Sequence, residues 1–252
     1  LPSPPAEIKS GRILYKGADM LKVSPGEMYR IRGREIGVIF QEPMTSLNPV
    51  KRTGRQVEEA LRVHFPRMTQ KELKAAAVAM MRKVGLPDPE GVYTSFPHTL
   101  SGGMRQRVMI AGAMITTPKL LIADEPTTAL DVTIQAQIME LIKALQEEYP
   151  LALLLITHNL GLVAGVCSKV VVMYAGRIAE KAPVRELFSD PAHPYTRGLL
   201  ASIPSLREGP RLLPSIPGMV PHPKDFLPGC RFAPRCEHRF VRCEEPDRKS
   251  VV

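Results

Sequence analysis

Short apolar runs alternate with segments of helical periodicity along most of the 252-residue chain. The runs at 12–15, 35–40, 118–125 and 151–157 have the length of strands, and apolar residues recur at helical spacing between them. One such helix face contains Leu73, Ala77, Met80, Met81 and Val84. Strands that alternate with helices are typical of a parallel sheet. The pattern therefore predicts an α/β fold, with the run at 151–157 as a buried strand.

The pattern changes in the last third of the chain. Two strand-like segments, 170–174 and 176–180, meet at Ala175-Gly176, as expected for a hairpin. From about residue 190 prolines become dense, which disfavours regular structure. We therefore expect a closing hairpin followed by an irregular extension.

Charge and composition limit the function classes. The longest purely apolar run, 151–156, is far shorter than the roughly 20 residues that cross a bilayer. The net charge is +9, and residues 51–83 contain nine Lys and Arg against three Glu. Aromatic residues make up only 5% of the chain and do not alternate with these charges, so stacking on bases is poorly supported. A solvated helix face is the favoured interpretation, and a site near anionic headgroups also tolerates such charge.

The segment Ser101-Gly102-Gly103 precedes a helical pattern. Glycines leave backbone N–H groups bare at the start of a helix, where the helix dipole favours an anion. A serine hydroxyl beside them adds a further polar contact. This arrangement predicts a phosphate contact, although Ser-Gly-Gly alone would be an ordinary loop.

Two carboxylates, Asp124 and Glu125, end the apolar run Leu120-Leu121-Ile122-Ala123. A buried parallel strand delivers such residues to the edge of the sheet where ligands bind. There Asp124 is expected to hold Mg²⁺ and Glu125 to polarise an attacking water.

These motifs together resemble the signature loop and Walker B strand of ABC-type ATPases. Further matches follow in family order: Gln41 resembles the Q-loop, Ala129-Leu130-Asp131 the D-loop and His158 the H-loop. The resemblance implies a P-loop NTPase-like (RecA-like) core and a Mg²⁺-ATP site. It assigns catalysis to Glu125, His158 and Gln41, Mg²⁺ to Asp124 and Gln41, and nucleotide contacts to Ser101, Gly102, Gly103, Gln106 and Asp131.

A Gly-rich phosphate loop that ends in Gly-Lys-Ser or Gly-Lys-Thr is expected upstream of the Q-loop in such an ATPase. Residues 1–40 contain no such stretch. The segment 1–5 resembles the middle of a family member, so we expect an N-terminally truncated product. The alternative is a degenerate, non-hydrolytic subunit that completes a partner's ATP site.

Two further segments narrow the family. Residues 41–49 and the extension containing 193–200, 217–218 and 229–236 resemble the ATP-binding subunits of oligopeptide and dipeptide importers, including the nickel-transporting branch. The implied function is ATP-driven import of peptides or related small solutes. The implied partners are a second ATPase subunit, two membrane permease subunits and a substrate-binding protein, and not nucleic acid. The protein would lie peripherally at the cytoplasmic face of the membrane.

The resemblance also divides the chain into four segments. Residues 1–49 would be the part of the ATPase core that reaches the Q-loop, and 50–115 the ABC helical subdomain. Residues 116–189 would complete the core, and 190–252 would form the Cys- and Pro-rich C-terminal extension. The transported solute, and whether the ATPase dimer is homo- or heteromeric, are not readable, because other subunits decide them.

Cysteines in the extension predict a metal site. Cys230, Cys236 and Cys243 lie in a short Arg-rich segment, and thiolate coordination is more reasonable than a disulfide in a reducing cytosol. The resemblance implies a [4Fe–4S] cluster held by four cysteines, of which three are present before the chain stops at 251–252. His238 is expected to be a surface residue rather than the missing ligand, and Cys167 a small buried residue.

A different class, a soluble ABC ATPase that acts on nucleic acid or the ribosome, would need tandem cassettes or a coiled-coil or zinc insertion. A single cassette with this extension disfavours it.

Overall fold

The computed structural model describes residues 7–203, 214–226 and 228–245, so the predictions for 1–5 and 251–252 lie outside the described residues. The chain divides into two compact units, Leu1–Ile156 and Thr157–Val252. This division does not test the four predicted segments, which stay a prediction.

The first unit contains strands and helices in alternation. In chain order these are β1 (Leu14–Tyr15), β2 (Ala18–Asp19), α1 (Pro25–Ile31), β3 (Ile36–Ile39), α2 (Pro43–Ser46), α3 (Thr53–Val57), α4 (Glu59–His64), α5 (Gln70–Lys83), α6 (Pro89–Thr94), α7 (Gly102–Met114), β4 (Leu120–Asp124), α8 (Val132–Glu148) and β5 (Ala152–Ile156).

A three-stranded parallel sheet in the order β3-β4-β5 forms the base of this unit. Leu121 of the central strand is paired with Gly37 on one side and Leu153 on the other. Parallel neighbours need a long crossover, and α2–α7 and α8 supply the two crossovers here. The α/β prediction is therefore confirmed, whereas the run at 12–15 belongs to a separate antiparallel hairpin, β1-β2.

The prediction that 151–157 is a buried strand is confirmed for the strand and wrong for its burial. β5 forms as expected, but Leu154 and Ile156 keep 50% and 46% of their surface exposed. The reason is position: within the described residues β5 pairs with β4 alone and is an edge strand. A continuous apolar run does not distinguish an edge strand from a central one.

Helix α5 forms at the predicted face. The Thr69 hydroxyl accepts the Glu72 N–H, and the Glu72 carboxylate accepts the Thr69 N–H, so a capping box starts the helix. Gly85, at a φ of +74°, ends it. The five residues of the predicted face are all buried: Leu73, Ala77, Met80, Met81 and Val84.

The second unit is built on an antiparallel hairpin. Its elements are α9 (Leu160–Val166), β6 (Lys169–Tyr174), β7 (Arg177–Pro183), α10 (Val184–Ser189), α11 (Pro194–Ala201) and 3₁₀ turns at Pro223–Asp225, Ala233–Arg235 and Val241–Cys243. Ala175 and Gly176 both have positive φ, as a two-residue hairpin turn requires, so the predicted hairpin is confirmed. Leu187 and Phe232 lie in its core, with the Phe232 ring 5.1 Å from that of Tyr174.

Part of the extension is more regular than predicted, because α11 is a helix. Pro194 occupies its first turn, where proline costs no hydrogen bond, and His193 Nδ1 accepts the Tyr195 N–H at 3.0 Å. The buried Glu180 of β7 accepts the backbone N–H groups of Ala192 and His193 at 2.9 and 3.1 Å. A carboxylate from the hairpin therefore anchors the start of α11.

We expect Glu180→Gln to lower the free energy of unfolding by about 2 kcal/mol at pH 7, because a charged acceptor of two backbone N–H groups is lost. Burial raises the pKa of Glu180, but the hydrogen bonds it accepts outweigh burial and leave the pKa below its ordinary value. The stabilisation is thus present above the unfolded-state pKa of about 4.3 and is lost as the pH falls through the lower folded-state value.

Urea unfolding of the unmodified chain and the Glu180→Gln variant at pH 7 and pH 4 measures the difference between their free energies of unfolding. This difference should be smaller at pH 4. The matched control is Glu186→Gln, an exposed carboxylate on α10, which should change stability by less than about 0.5 kcal/mol. Equal effects of the two substitutions would contradict the anchoring role of Glu180.

Candidate active site

The Ser-Gly-Gly segment lies at the start of α7, as predicted. Ser101 is the N-cap, and its hydroxyl accepts the Met104 N–H at 3.3 Å. Gly102 and Gly103 form the first turn of this 13-residue helix. Their backbone N–H groups carry no side chain beside them, so the positive end of the helix dipole is open to an anion.

The two glycines also allow close packing against the segment that follows β4. A Cβ at Gly102 would lie 3.3 Å from Cδ2 of Leu130, and a Cβ at Gly103 would lie 3.0 Å from Cγ2 of Ile134. Glycine is therefore required for more than backbone exposure. It lets the start of α7 approach the start of α8.

Arg105 is a residue that the sequence analysis missed. Its Nη1 donates to the Leu100 carbonyl at 2.5 Å and to the Pro97 carbonyl at 3.5 Å. These carbonyls belong to the loop directly before Ser101, so Arg105 holds that loop from inside α7. The available sequence signal for this role was the position of the arginine. It lies one turn into a helix, and the loop before that helix lacks acidic residues.

The carboxyl ends of β3 and β4 bring Gln41 and Glu125 together. Gln41 Nε2 donates to Glu125 Oε2 at 3.1 Å, although 84 positions separate them. The Thr128 hydroxyl, which sequence reasoning also missed, donates to the same oxygen at 2.7 Å. A hydroxyl three residues after a strand-ending carboxylate was the only sequence signal for Thr128.

Glu125 has an unusual backbone. Its φ is +45°, a left-handed conformation that costs free energy for a residue with a side chain. Its N–H donates to the Ile156 carbonyl at the end of β5. This bond fixes the turn after Asp124, the last residue of β4, which is half-buried.

Asp131 caps helix α8. Its Oδ1 accepts the Ile134 N–H at 3.0 Å, and Gln135 Nε2 donates to the Leu130 carbonyl at 3.0 Å. Ala129 has a φ of +60°. The D-loop-like segment is therefore fixed by hydrogen bonds with helix α8, and Oδ1 of Asp131 already accepts one of them.

The remaining predicted residues lie elsewhere. Gln106 is only 2% exposed, and its Nε2 has no hydrogen-bond partner within the described chain, so the helix buries this side chain rather than presenting it beside Ser101. His158 is exposed and lies in the second unit, two residues after β5. The roles of Gln106 and His158 toward a nucleotide stay predictions.

The cysteines of the extension gather without forming a metal site. The Cys230 N–H donates to the Cys243 carbonyl at 2.8 Å. Burial raises the pKa of the Cys236 thiol, a backbone hydrogen bond at His238 lowers it in part, and the nearby Cys230 and Cys243 raise it further. Across 7–203, 214–226 and 228–245, no group of three or more His, Cys, Asp or Glu side chains is arranged to hold a metal ion. The iron–sulfur expectation is therefore not supported.

Comparison with known proteins agrees with this geometry. The family described as "ABC transporter" matches residues 3–128. A "probable peptide ABC transporter ATP-binding protein" of Sinorhizobium fredii is 50% identical over 246 residues, which are 97% of this chain and 73% of that protein. The chain belongs to the ABC transporter ATP-binding family.

A C-terminal segment of this ABC chain matches a narrower family. Residues 179–243 match "Oligopeptide/dipeptide transporter, C-terminal region". The oligopeptide transport ATP-binding protein OppD of Bacillus subtilis is 51% identical over 94% of this chain and 66% of that protein. The predicted resemblance to peptide-importer subunits is confirmed at the level of the family.

Solved structures confirm the fold. The ATP-binding cassette MJ0796, in a dimeric post-hydrolysis state with ADP and phosphate, is 25% identical and superposes with a TM-score of 0.62 over 70% of this chain and 75% of that chain. The cassette cbiO1 of Clostridium perfringens is 28% identical, with a TM-score of 0.61 over 72% and 69%. The ABC chain is therefore an α/β ATPase cassette. Its described residues contain no helix that is long and apolar enough to span a membrane.

Two glycines of α7 provide a test of the close packing. Gly112→Ala should raise the free energy of unfolding by about 0.5–1 kcal/mol, because its Cβ would meet the nearest atom, Cα of Val57, at an ordinary 3.8 Å. Gly103→Ala should be less stable than Gly112→Ala by at least about 1 kcal/mol, because Ile134 must shift. Urea unfolding of the two variants measures the difference. If both variants gain the same free energy of unfolding, Gly103 is not required for close packing.

Proposed function

We propose that this chain is the ATP-hydrolysing subunit of an importer for di- and oligopeptides or related small solutes. One observation carries the proposal: the Gln41–Glu125 hydrogen bond, which joins the ends of two parallel strands in one catalytic pair. The names of the Sinorhizobium fredii and Bacillus subtilis relatives, a probable peptide ABC transporter protein and an oligopeptide transport protein, support the substrate class.

The residues divide the chemistry between them. Glu125 orients the attacking water and accepts its proton, while Thr128 and Gln41 fix the carboxylate through the bonds to Oε2. The role of His158, in the second unit, toward the terminal phosphate stays a prediction. Ser101, Gly102 and Gly103 offer a hydroxyl and bare N–H groups to phosphate oxygens.

The donor set at the strand ends fits Mg²⁺. Mg²⁺ takes one or two carboxylates, waters and phosphate oxygens rather than a full protein cage. Asp124 supplies a carboxylate there, and Gln41 keeps its carbonyl oxygen while its amide nitrogen bonds Glu125. When bound, Mg²⁺ neutralises charge that develops on the phosphates.

We place this chain in a dimer of ATPase subunits in which the signature segment, Ser101 to Gly103, completes the partner's nucleotide site. Two observations support this arrangement. The start of α7 offers the backbone N–H groups of Gly102 and Gly103, and close packing against Leu130 and Ile134 holds it in position. The similar cassette MJ0796 is described as dimeric.

Coupling to two permease subunits at the cytoplasmic face would pass through Gln41. The residue before it, Phe40, is 58% exposed and lines a largely apolar cavity of about 690 Å³ between β3, α3 and α7. An apolar segment of a permease seated there would move the strand end that carries Gln41. A substrate-binding protein would join through the permeases.

The first test addresses Glu125. In a version of the chain extended upstream through a Gly-rich phosphate loop, we expect Glu125→Gln to lower kcat by at least about 10²-fold with ATP binding retained, because the amide cannot accept the proton. Glu147→Gln, an exposed carboxylate on α8, is the control and should leave kcat unchanged. Steady-state phosphate release and calorimetric ATP binding measure the two effects. Retained turnover would remove Glu125 from this role.

The second test addresses the dimer. The extended version carrying Gly102→Asp should hydrolyse ATP about 10²-fold more slowly, because a carboxylate replaces a bare helix start. Adding the 252-residue chain should restore hydrolysis, since its own signature segment is intact. The Glu125→Gln form of the added chain should restore it equally, whereas its Gly102→Asp form should not. If neither the intact chain nor its Glu125→Gln form restores ATP hydrolysis, the result contradicts a signature segment supplied in trans.

A further inference from the structure

Four exposed cations surround one short segment of the first unit, Tyr93–Phe96. Arg52 Nη1 donates to the Thr94 carbonyl at 2.6 Å, and its guanidinium lies 5.4 Å from the Phe96 ring centre. Lys74 Nζ lies 5.5 Å from the Tyr93 ring centre. Arg55 and Arg62 complete the group, which we name the α6 cationic patch: Arg52, Arg55, Arg62 and Lys74.

A single buried carboxylate organises the patch. Glu58 Oε1 accepts Arg55 Nη1 at 2.8 Å and Arg62 Nη2 at 2.6 Å, so the two guanidinium groups meet at one oxygen atom. The Tyr93 hydroxyl donates to Oε2 at 2.8 Å. Burial raises the pKa of Glu58, but the hydrogen bonds from Tyr93, Gln70 and the two arginines outweigh it and keep the pKa below its ordinary value.

The patch carries more positive charge than Glu58 compensates. Residues 51–83, which carry the patch, contain nine Lys and Arg against three Glu. Both arginines are about half exposed, and each uses one terminal nitrogen, Nη1 of Arg55 and Nη2 of Arg62, for its bonds within the described chain. Their other N–H groups and the Lys74 ammonium are available to an anionic partner outside the chain.

We propose that the α6 cationic patch binds the phosphate groups of anionic phospholipids at the membrane surface. Guanidinium groups match phosphate oxygens with paired hydrogen bonds, and an exposed patch spread over α3, α4, α5 and the α6 segment suits a surface rather than an enclosed small molecule. This inference rests on the proposed function in one respect, namely that the subunit works beside a membrane. It adds a direct lipid contact to any contact with permeases.

The test uses the 252-residue chain and two kinds of vesicle, one of pure phosphatidylcholine and one of equal parts phosphatidylcholine and phosphatidylglycerol. Arg52→Gln with Lys74→Gln removes two patch charges and leaves the Glu58 bonds in place. We expect this variant to bind the anionic vesicles about 25-fold more weakly, from about five-fold for each cation. Lys74→Gln alone, whose side chain forms no hydrogen bond in the described structure, should bind about five-fold more weakly.

The matched control is Lys119→Gln with Lys143→Gln, two exposed lysines of the first unit outside the patch that give the same net charge. It should bind within about two-fold of the unmodified chain, because neither lysine lies on α3, α4, α5 or α6, the elements that carry the patch. An equal loss in both double variants would show diffuse charge attraction and overturn the proposal. Equal binding of the unmodified chain to both vesicles would overturn it as well.

Two further measurements distinguish a lipid from other anionic partners. Calorimetry with inorganic phosphate, and binding of poly-glutamate, are measured for the unmodified chain and the patch variant. Patch-dependent binding of either probe without patch-dependent vesicle binding would assign the patch to free phosphate or to an acidic protein, against a lipid. Vesicle binding needs no nucleotide, so Glu125→Gln should bind lipid normally, and failure of the ATPase proposal is distinguishable from failure of this one.

Discussion

The parallel pairing of β3 with β4 is the constraint on which the candidate site depends. Ile36 pairs with Leu120 and Ile39 with Ala123, so both strands end at the same sheet edge. Gln41 and Glu125 follow those ends and meet there in a hydrogen bond. A shift of this register by one residue would turn the side chains of one strand to the opposite face and separate the pair. Helix α7 packs against β3, and Leu121 and Ala123 of β4 are fully buried, so apolar burial stabilises this register.

Glycine packing links the second part of the site to the first. The start of α7 approaches Leu130 and Ile134 so closely that only glycine fits at Gly103 without displacing a neighbour. Asp131 then caps α8 directly after the loop that carries Glu125 and Thr128. The start of α7 and the carboxylate loop are therefore one packed body, which holds the bare N–H groups of Gly102 and Gly103 in position.

Buried carboxylates hold the more peripheral parts of each unit. Glu58 joins α3, α4, α5 and α6 through Arg55, Arg62, Gln70 and Tyr93. Glu180 joins the hairpin of the second unit to the start of α11. In both cases hydrogen bonds donated to the charged oxygens outweigh the cost of burying them. An anchored surface such as the α6 cationic patch follows from this, because arginines that bond a fixed carboxylate keep their other donors facing outward.

Local pattern determined the elements and the motifs. The α5 face, the hairpin turn at Ala175-Gly176 and the strand that ends at Asp124 follow from residue spacing and turn chemistry, which act over a few positions. Tertiary structure alone decided which distant residues meet and which are covered. It exposed the apolar run of β5 at a sheet edge, buried Gln106 and left the three extension cysteines without a metal-binding arrangement. It also recruited Thr128 and Arg105, whose roles depend on a carboxylate and a carbonyl fixed by packing. Burial and long-range hydrogen bonding depend on the whole chain, and a pattern of neighbours along the sequence does not contain them.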